Sequence, residues 1–208
     1  MLPSKEEFYK KLKARHGKER QKKFSRCNVA VCGLGGLGSN IAIALARAGI
    51  GRLHLIDFDK VDISNIGRQQ YFLKQVGMYK TEAVVQILHE INPYCKVITD
   101  NIKLCRENIP KLLQFDDIIC EAFDCPESKS ELIDTVIEVF PEKYIVAASG
   151  MSGLHTANTI KTRKITNKFY ICGDEKSDVS EDGTLYASRV MVCAAHQANA
   201  VLRIVDSF

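Results

Sequence analysis

Residues 33–38 of this 208-residue chain read GLGGLG, directly after a short β-branched run and directly before an apolar pattern with helical spacing. Glycines at such a junction let the chain turn tightly from strand into helix, and let backbone amides approach an anionic ligand with no Cβ in the way. Gly33 and Gly35 suit the turn, Gly36 the close approach to a phosphate or ribose, and Gly38 the tight packing of helix on strand. Asp57, 19 residues past Gly38 at the end of the next apolar run, can accept hydrogen bonds from ribose hydroxyls. This set suits a dinucleotide and a nucleoside triphosphate equally; the alternative is glycines kept for turn geometry alone.

The next segment narrows the chemistry. Residues 57–70, DFDKVDISNIGRQQ, concentrate polar groups that hydride transfer from a nicotinamide has no use for. Arg68 can bridge two phosphate oxygens, and Lys80, at the start of the following helical pattern, adds a movable point charge. Asp59, Ser64, Asn65 and Gln69 complete the polar set, and the two amides can orient oxygens without adding charge. From spacing alone, Arg68 and Lys80 could equally be surface charges. Asp124 lies in CEAFDCPESK at 120–129, after another apolar run. A carboxylate at the end of a parallel strand can hold Mg²⁺ on a triphosphate, or it can cap the helix expected from about Ser128.

Positioning these residues requires alternating strands and helices. Strand-like runs occupy 28–32, 52–56, 96–99, 117–122 and 144–148. Leu37, Ile41, Leu45 and Ala48 recur at helical spacing before Gly49 and Gly51, and Ala83, Val84, Ile87, Leu88 and Ile91 do so before Asn92 and Pro93. Further helical patterns lie near 107–114 and 128–140. The alternation predicts an α/β fold with a Rossmann-like, mostly parallel sheet and helices on both faces. Past Gly150, residues 155–172 read as an antiparallel pair, a small C-terminal extension of the sheet. Val190–Val205 reads as a closing helix with Ala194, Ala198, Val201 and Val205 inward. The organisation expected is a basic helical arm over 1–25 followed by a single domain over 26–208.

Composition bounds the function classes. A chain of 208 residues, 46% hydrophobic, can bury one sizeable core. Residues 1–26 hold ten Lys or Arg against three Glu, a net +7, so the remainder carries −3 of the total +4. A basic arm can attract nucleic acid, but no aromatic or glycine-rich recognition pattern accompanies it, and a solvated helix packing Phe8 and Leu12 is expected instead. There is no apolar run of 18 residues and no signal-like start, so a cytoplasmic protein without membrane contact is expected. Eight cysteines scattered through apolar segments are expected to be mostly small buried thiols.

GLGGLGSN at 33–40, LARAGIGRLHLIDFDKVDISNIGRQ at 45–69, GMYKTEA at 77–83 and EAFD at 121–124 resemble, in order, the motifs of the ThiF/MoeB/HesA family, relatives of ubiquitin-activating enzymes. The resemblance covers about 26–205, and AASGMSG at 147–153 with VCAAHQANAVL at 192–202 make it most similar to short thiamine-biosynthesis ThiF proteins. It implies a homodimeric Rossmann-like enzyme that binds MgATP and adenylates the C-terminal glycine of a small ubiquitin-like sulfur-carrier protein. It leaves room for a sulfur-donor enzyme as a further partner. By the resemblance, Gly36 contacts the nucleotide, Asp57 the ribose, Asn65, Arg68 and Lys80 the phosphates, and Asp124 the magnesium ion. An arginine supplied across the dimer has two candidates, Arg15 and Arg20.

Two departures stand out. Many longer relatives bind structural zinc through two Cys-x-x-Cys pairs, a spacing absent here, so no zinc is expected. Ile66 replaces the usual leucine. Some relatives link covalently to the carrier through a cysteine, for which Cys172 in YICGD is the candidate, against a buried structural thiol; Cys193 reads as core. Other acceptors served by the same site are molybdopterin-type carriers and a tRNA-linked carboxylate. An NAD(P)-dependent oxidoreductase is the remote alternative.

Overall fold

The computed structural model describes residues 2–208. Seven strands make one sheet: β1 (Asn28–Cys32), β2 (Arg52–Ile56), β3 (Lys96–Asp100), β4 (Ile118–Glu121), β5 (Tyr144–Ala148), β6 (Lys161–Lys164) and β7 (Phe169–Gly173), in the order β3-β2-β1-β4-β5-β7-β6. Neighbours from β3 through to β7 run parallel, and β6 returns antiparallel to β7. The Rossmann-like mostly parallel sheet and its antiparallel extension are both present. The extension joins through β7, which pairs in parallel with β5 from Ile145↔Phe169 to Ala148↔Cys172.

Strands covered on both faces read as nearly continuous apolar runs. Val29 and Val31 of β1, Leu53 and Leu55 of β2, and Ile118 and Cys120 of β4 pack into one core. That core is completed by α3 (Gly36–Ala48), α4 (Lys80–Ile91) and α8 (Ala187–Asp206). Ala30, Cys32, Ile119 and Ile145 face the opposite way, against α5 (Ile109–Leu112) and α6 (Pro126–Val139). Ala194, Ala198, Val201 and Val205 are all buried, as their spacing requires. No helix among the described residues is long and apolar enough to cross a membrane.

The basic arm is not one helix. Gly17, at φ 89°, ends α1 (Lys5–His16) and begins α2 (Lys18–Phe24). α1 has no buried residue; its Phe8 ring stacks obliquely on Tyr94 at 5.8 Å. α2 is better anchored: Phe24 is buried, and the Gln21 amide donates to the carbonyls of Ala48 and Gly49 at 3.3 and 3.2 Å.

One buried ion cluster sits on the face covered by α5 and α6. His54 Nδ1 meets Asp116 Oδ2 at 2.9 Å, its Nε2 meets Asp100 Oδ2 at 2.7 Å, and Arg52 donates to Asp116 Oδ1 at 2.6 Å. A ring with a carboxylate at each nitrogen satisfies both only when both nitrogens carry protons. Burial works against that charge, but the hydrogen bonds and fields of Asp116 and Asp100 outweigh it and raise the His54 pKa. A raised folded-state pKa means the contribution to stability is complete below the unfolded value near about 6.5 and is lost as pH climbs through the folded value. His54→Gln should therefore cost about 1–3 kcal/mol at pH 6 in denaturant titrations and clearly less at pH 9. An equal cost at both pH values contradicts this account.

Candidate functional site

A cavity of about 420 Å³ opens at the C-terminal ends of β1 and β4. This is where strand order reverses, the place at which open α/β sheets leave a crevice. Its floor is the turn from β1 into α3. Gly33 sits at φ +92°, and a Cβ there would come within 2.8 Å of the Ala122 carbonyl oxygen. A Cβ on Gly38 would collide with the Gly33 carbonyl, so α3 can start where it does only with glycine at that position.

Asp57, 8% exposed, ties this turn to β2. Its Oδ2 accepts the Leu34 amide at 2.6 Å and its Oδ1 the Asp59 amide at 2.7 Å. Burial raises its pKa, and Lys80 with the two amides opposes that rise. Lys80 is itself buried at the first turn of α4, with its Nζ 2.7 Å from Asp59 Oδ2 and 4.0 Å from Asp57 Oδ2. Its backbone amide also donates to the Asp59 carbonyl at 2.9 Å, so this cation is held at both ends. Arg68 and Gln69 complete the near wall. Gln69 Oε1 is a buried acceptor without a hydrogen-bond donor among the described residues.

The far wall comes from β4 and β5. Asp124 and Cys125 are exposed at the start of α6, while Ser149, Gly150, Met151 and Ser152 follow β5. α6 begins at Pro126, two residues before the expected start, with Cys125 at the cap and no side-chain capping bond. Asp124 is thus ahead of the cap and enters no ion pair among the described residues. Behind the Ser149–Ser152 turn lies Arg189, 3% exposed, which donates to the carbonyls of His155 and Thr156 at 2.7 and 3.0 Å and pairs with half-buried Asp174.

The pattern that defines the ThiF family matches residues 9–208. The chain belongs to the ThiF family. Among curated relatives it is 35% identical over 136 residues to the adenylyltransferase and sulfurtransferase MOCS3 of Aedes aegypti, covering 65% of this chain and 31% of that protein. The Xenopus laevis MOCS3 is 36% identical over 136 residues, with 65% and 30% covered. The chain therefore spans less than a third of the length of these relatives. The E. coli tRNA N6-threonylcarbamoyladenosine dehydratase TcdA, solved in complex with ATP, superposes with a TM-score of 0.87 at 21% identity, covering 100% of this chain and 98% of that one. E. coli MccB, solved with AMPCPP and MccA, superposes at 0.67 and 23% identity over 90% of this chain and 58% of its own. At these identities the superpositions show the fold.

Within this ThiF-family cavity the structure brings together Gly33, Gly35, Gly36, Asp57, Asp59, Arg68, Gln69, Lys80 and Asp124. Gly38, Ser64 and Asn65 stand outside the lining. Ser64 and Asn65 form the turn Ile63–Asn65, where the Ser64 carbonyl accepts from Arg68 at 3.2 Å, so they support the guanidinium from behind. Arg15 and Arg20 lie on the exposed arm, and Arg20 is paired with Asp206 at 2.9 Å. Sequence reasoning passed over Glu121, Lys129, Arg189 and Asp174. Lys129 closes the quoted CEAFDCPESK, but its partner becomes visible only once β4 and α6 are folded together.

Cys172, on β7, is fully buried in the core that α8 covers, near Thr162, and outside the cavity. Burial pushes its thiol up to about 11. Cys125 is the exposed cysteine on the cavity rim. On brief alkylation of the native protein at pH 8, Cys125 should be modified first and Cys172 only after unfolding, as read by peptide mass. Rapid native labelling of Cys172 would reopen its candidacy as a covalent residue.

Proposed function

We propose that the chain is an ATP-dependent adenylyltransferase acting on the C-terminal glycine carboxylate of a small ubiquitin-like sulfur-carrier protein, in the thiazole branch of thiamine synthesis. The observation that carries this reading is one cavity with phosphate-binding cations, Arg68 and Lys80, on one wall and an unpaired carboxylate, Asp124, on the other. Bound ATP would supply an α-phosphorus open to attack and pyrophosphate as leaving group. The protein needs no general base, because the attacking carboxylate is already ionised at neutral pH.

In this reading the chain's own residues align and neutralise. Asp57 accepts from ribose hydroxyls with the lone pairs its two amide bonds leave free. Gly35 and Gly36 let backbone approach the phosphates, and Arg68 and Lys80 counter their charge. Asp124 would hold the magnesium ion. Magnesium takes one or two protein carboxylates plus phosphate oxygens, so one carboxylate beside a bound triphosphate is enough to hold it. A homodimer would add an arginine from a second copy. Arg15 is better placed than Arg20 for that role, because Arg20 is already paired with Asp206.

A second acceptor is favoured by one observation. TcdA, named as a tRNA N6-threonylcarbamoyladenosine dehydratase, matches nearly end to end, which supports a tRNA-linked carboxylate as the alternative acceptor. Relatives named adenylyltransferase and sulfurtransferase MOCS3 support a sulfur carrier, although the match covers only 31% of their length.

Asp124→Ala should lower carrier-dependent ATP–pyrophosphate exchange by about 100-fold or more while leaving Tm nearly unchanged. Exchange near the wild-type rate would remove the magnesium role. Of Arg15→Ala and Arg20→Ala, one should lose about 10³-fold in exchange; wild-type turnover in both sinks the arginine in trans.

A further inference from the structure

One ion pair on the far wall has no part in the reading above. Glu121, the last residue of β4, is fully buried. Its carboxylate accepts from the Phe123 amide at 2.7 Å, the Ala148 amide at 3.4 Å and the Lys129 ammonium. Lys129 also donates to the Ala148 carbonyl at 3.0 Å and lines the cavity. Ala148 is the last residue of β5, so the pair ties together two strand ends. From beneath, the buried Gln197 amide donates to the Glu121 and Val146 carbonyls at 2.9 and 3.1 Å. Immediately beyond the tie begin the two turns of the far wall, one carrying Asp124 and the other Ser149–Met151.

Lys129 is badly placed to serve its own helix. It is the fourth residue of α6, in the first turn, where the helix field is positive and acidic side chains stabilise. Helical side chains lean toward the N-terminus, and this one reaches back to Glu121. Burial pushes the Glu121 carboxyl upward and Lys129 is the foremost opposing influence. For folding alone, an uncharged pair of similar size would serve at least as well. What the charged pair adds is geometry: one ammonium fixes a side chain and a main-chain carbonyl on adjacent strands.

We propose that Lys129 and Glu121 are positioning residues that hold the Asp124 turn and the Ser149–Met151 turn at a fixed separation across the cavity. What they position rests on the adenylyl-transfer reading; the tie itself does not. In that reading the acceptor carboxylate would approach between these turns, so alignment of the reacting groups would depend on the tie more than nucleotide binding does. Nucleotide binding relies mainly on the opposite wall.

The test compares wild type, Lys129→Arg and the double variant Glu121→Gln/Lys129→Met, which removes both charges and so avoids an uncompensated buried carboxylate. In hydrogen exchange followed by mass spectrometry, peptides covering 122–125 and 148–151 of the double variant should exchange about tenfold faster, with those from β1 and α3 unchanged. Its kcat for adenylyl transfer should fall about tenfold while the Kd for ATP, measured by calorimetry, stays within about threefold. Lys129→Arg, which keeps the charge, should match wild type in both. The proposal is overturned if the double variant exchanges and turns over like wild type, or if protection falls evenly across the sheet. If wild type fails to bind ATP, the adenylyl-transfer reading falls, and the exchange measurement still decides the tie.

Discussion

Three backbones meet where β1 ends, and the cavity depends on how closely they approach. The Gly33 amide donates to the Ile56 carbonyl at 2.8 Å, and its α-carbon faces the Ala122 carbonyl at the end of β4. The start of α3 lies directly over the Gly33 carbonyl. Side chains at these positions would push β1, β4 and α3 apart, and the crevice at the strand switch point would lose its floor. Because the contacts are backbone to backbone, no neighbouring rotamer change can relieve a Cβ placed there.

That constraint also settles the electrostatics of the near wall. With the turn drawn in, the Leu34 amide points at Asp57, and the carboxylate is fixed by two amides before any ligand arrives. Burial still raises its pKa, and Lys80 with those two amides counters part of that desolvation. Lys80 is held in turn by Asp59, so the near wall is a short chain of alternating charges anchored to backbone. The far wall follows the same logic with different parts: Glu121 is buried behind the turn and Lys129 bridges to β5.

Much of this was legible in the sequence because it is local. The glycine loop, Asp57, Arg68 and Lys80 lie within 48 residues of one another, on elements whose boundaries follow from apolar spacing and glycines. The mostly parallel sheet with helices on both faces followed from the same alternation. What was not legible involved partners distant in the chain. Gly17 reads as an unremarkable residue inside a charged run until its φ of 89° splits the arm. Cys172 sits in a motif-like YICGD, but only the pairing of β7 with both β5 and β6, and the covering α8, show that its thiol faces the core. Arg189 stands at the start of a helix whose apolar stripe draws attention elsewhere, and its partner Asp174 comes from the loop before it.

The two walls therefore differ in how they are specified. The near wall is built from short-range turns and backbone amides, so it tolerates change elsewhere in the chain as long as β1, β2 and α4 keep their register. The far wall rests on buried charges whose partners lie on separate elements: Glu121 on β4 with Lys129 on α6, and Asp174 after β7 with Arg189 on α8. Removing one member of such a pair leaves the other uncompensated, at a cost of about 3–5 kcal/mol, so each pair must change together or not at all. This couples the cavity to the outer strands: a shift of β7 or α8 moves Arg189, which donates to the Met151 carbonyl in the turn after β5. The added β7–β6 ribbon thus belongs to the site, because it fixes the segment from which Asp174 reaches that turn.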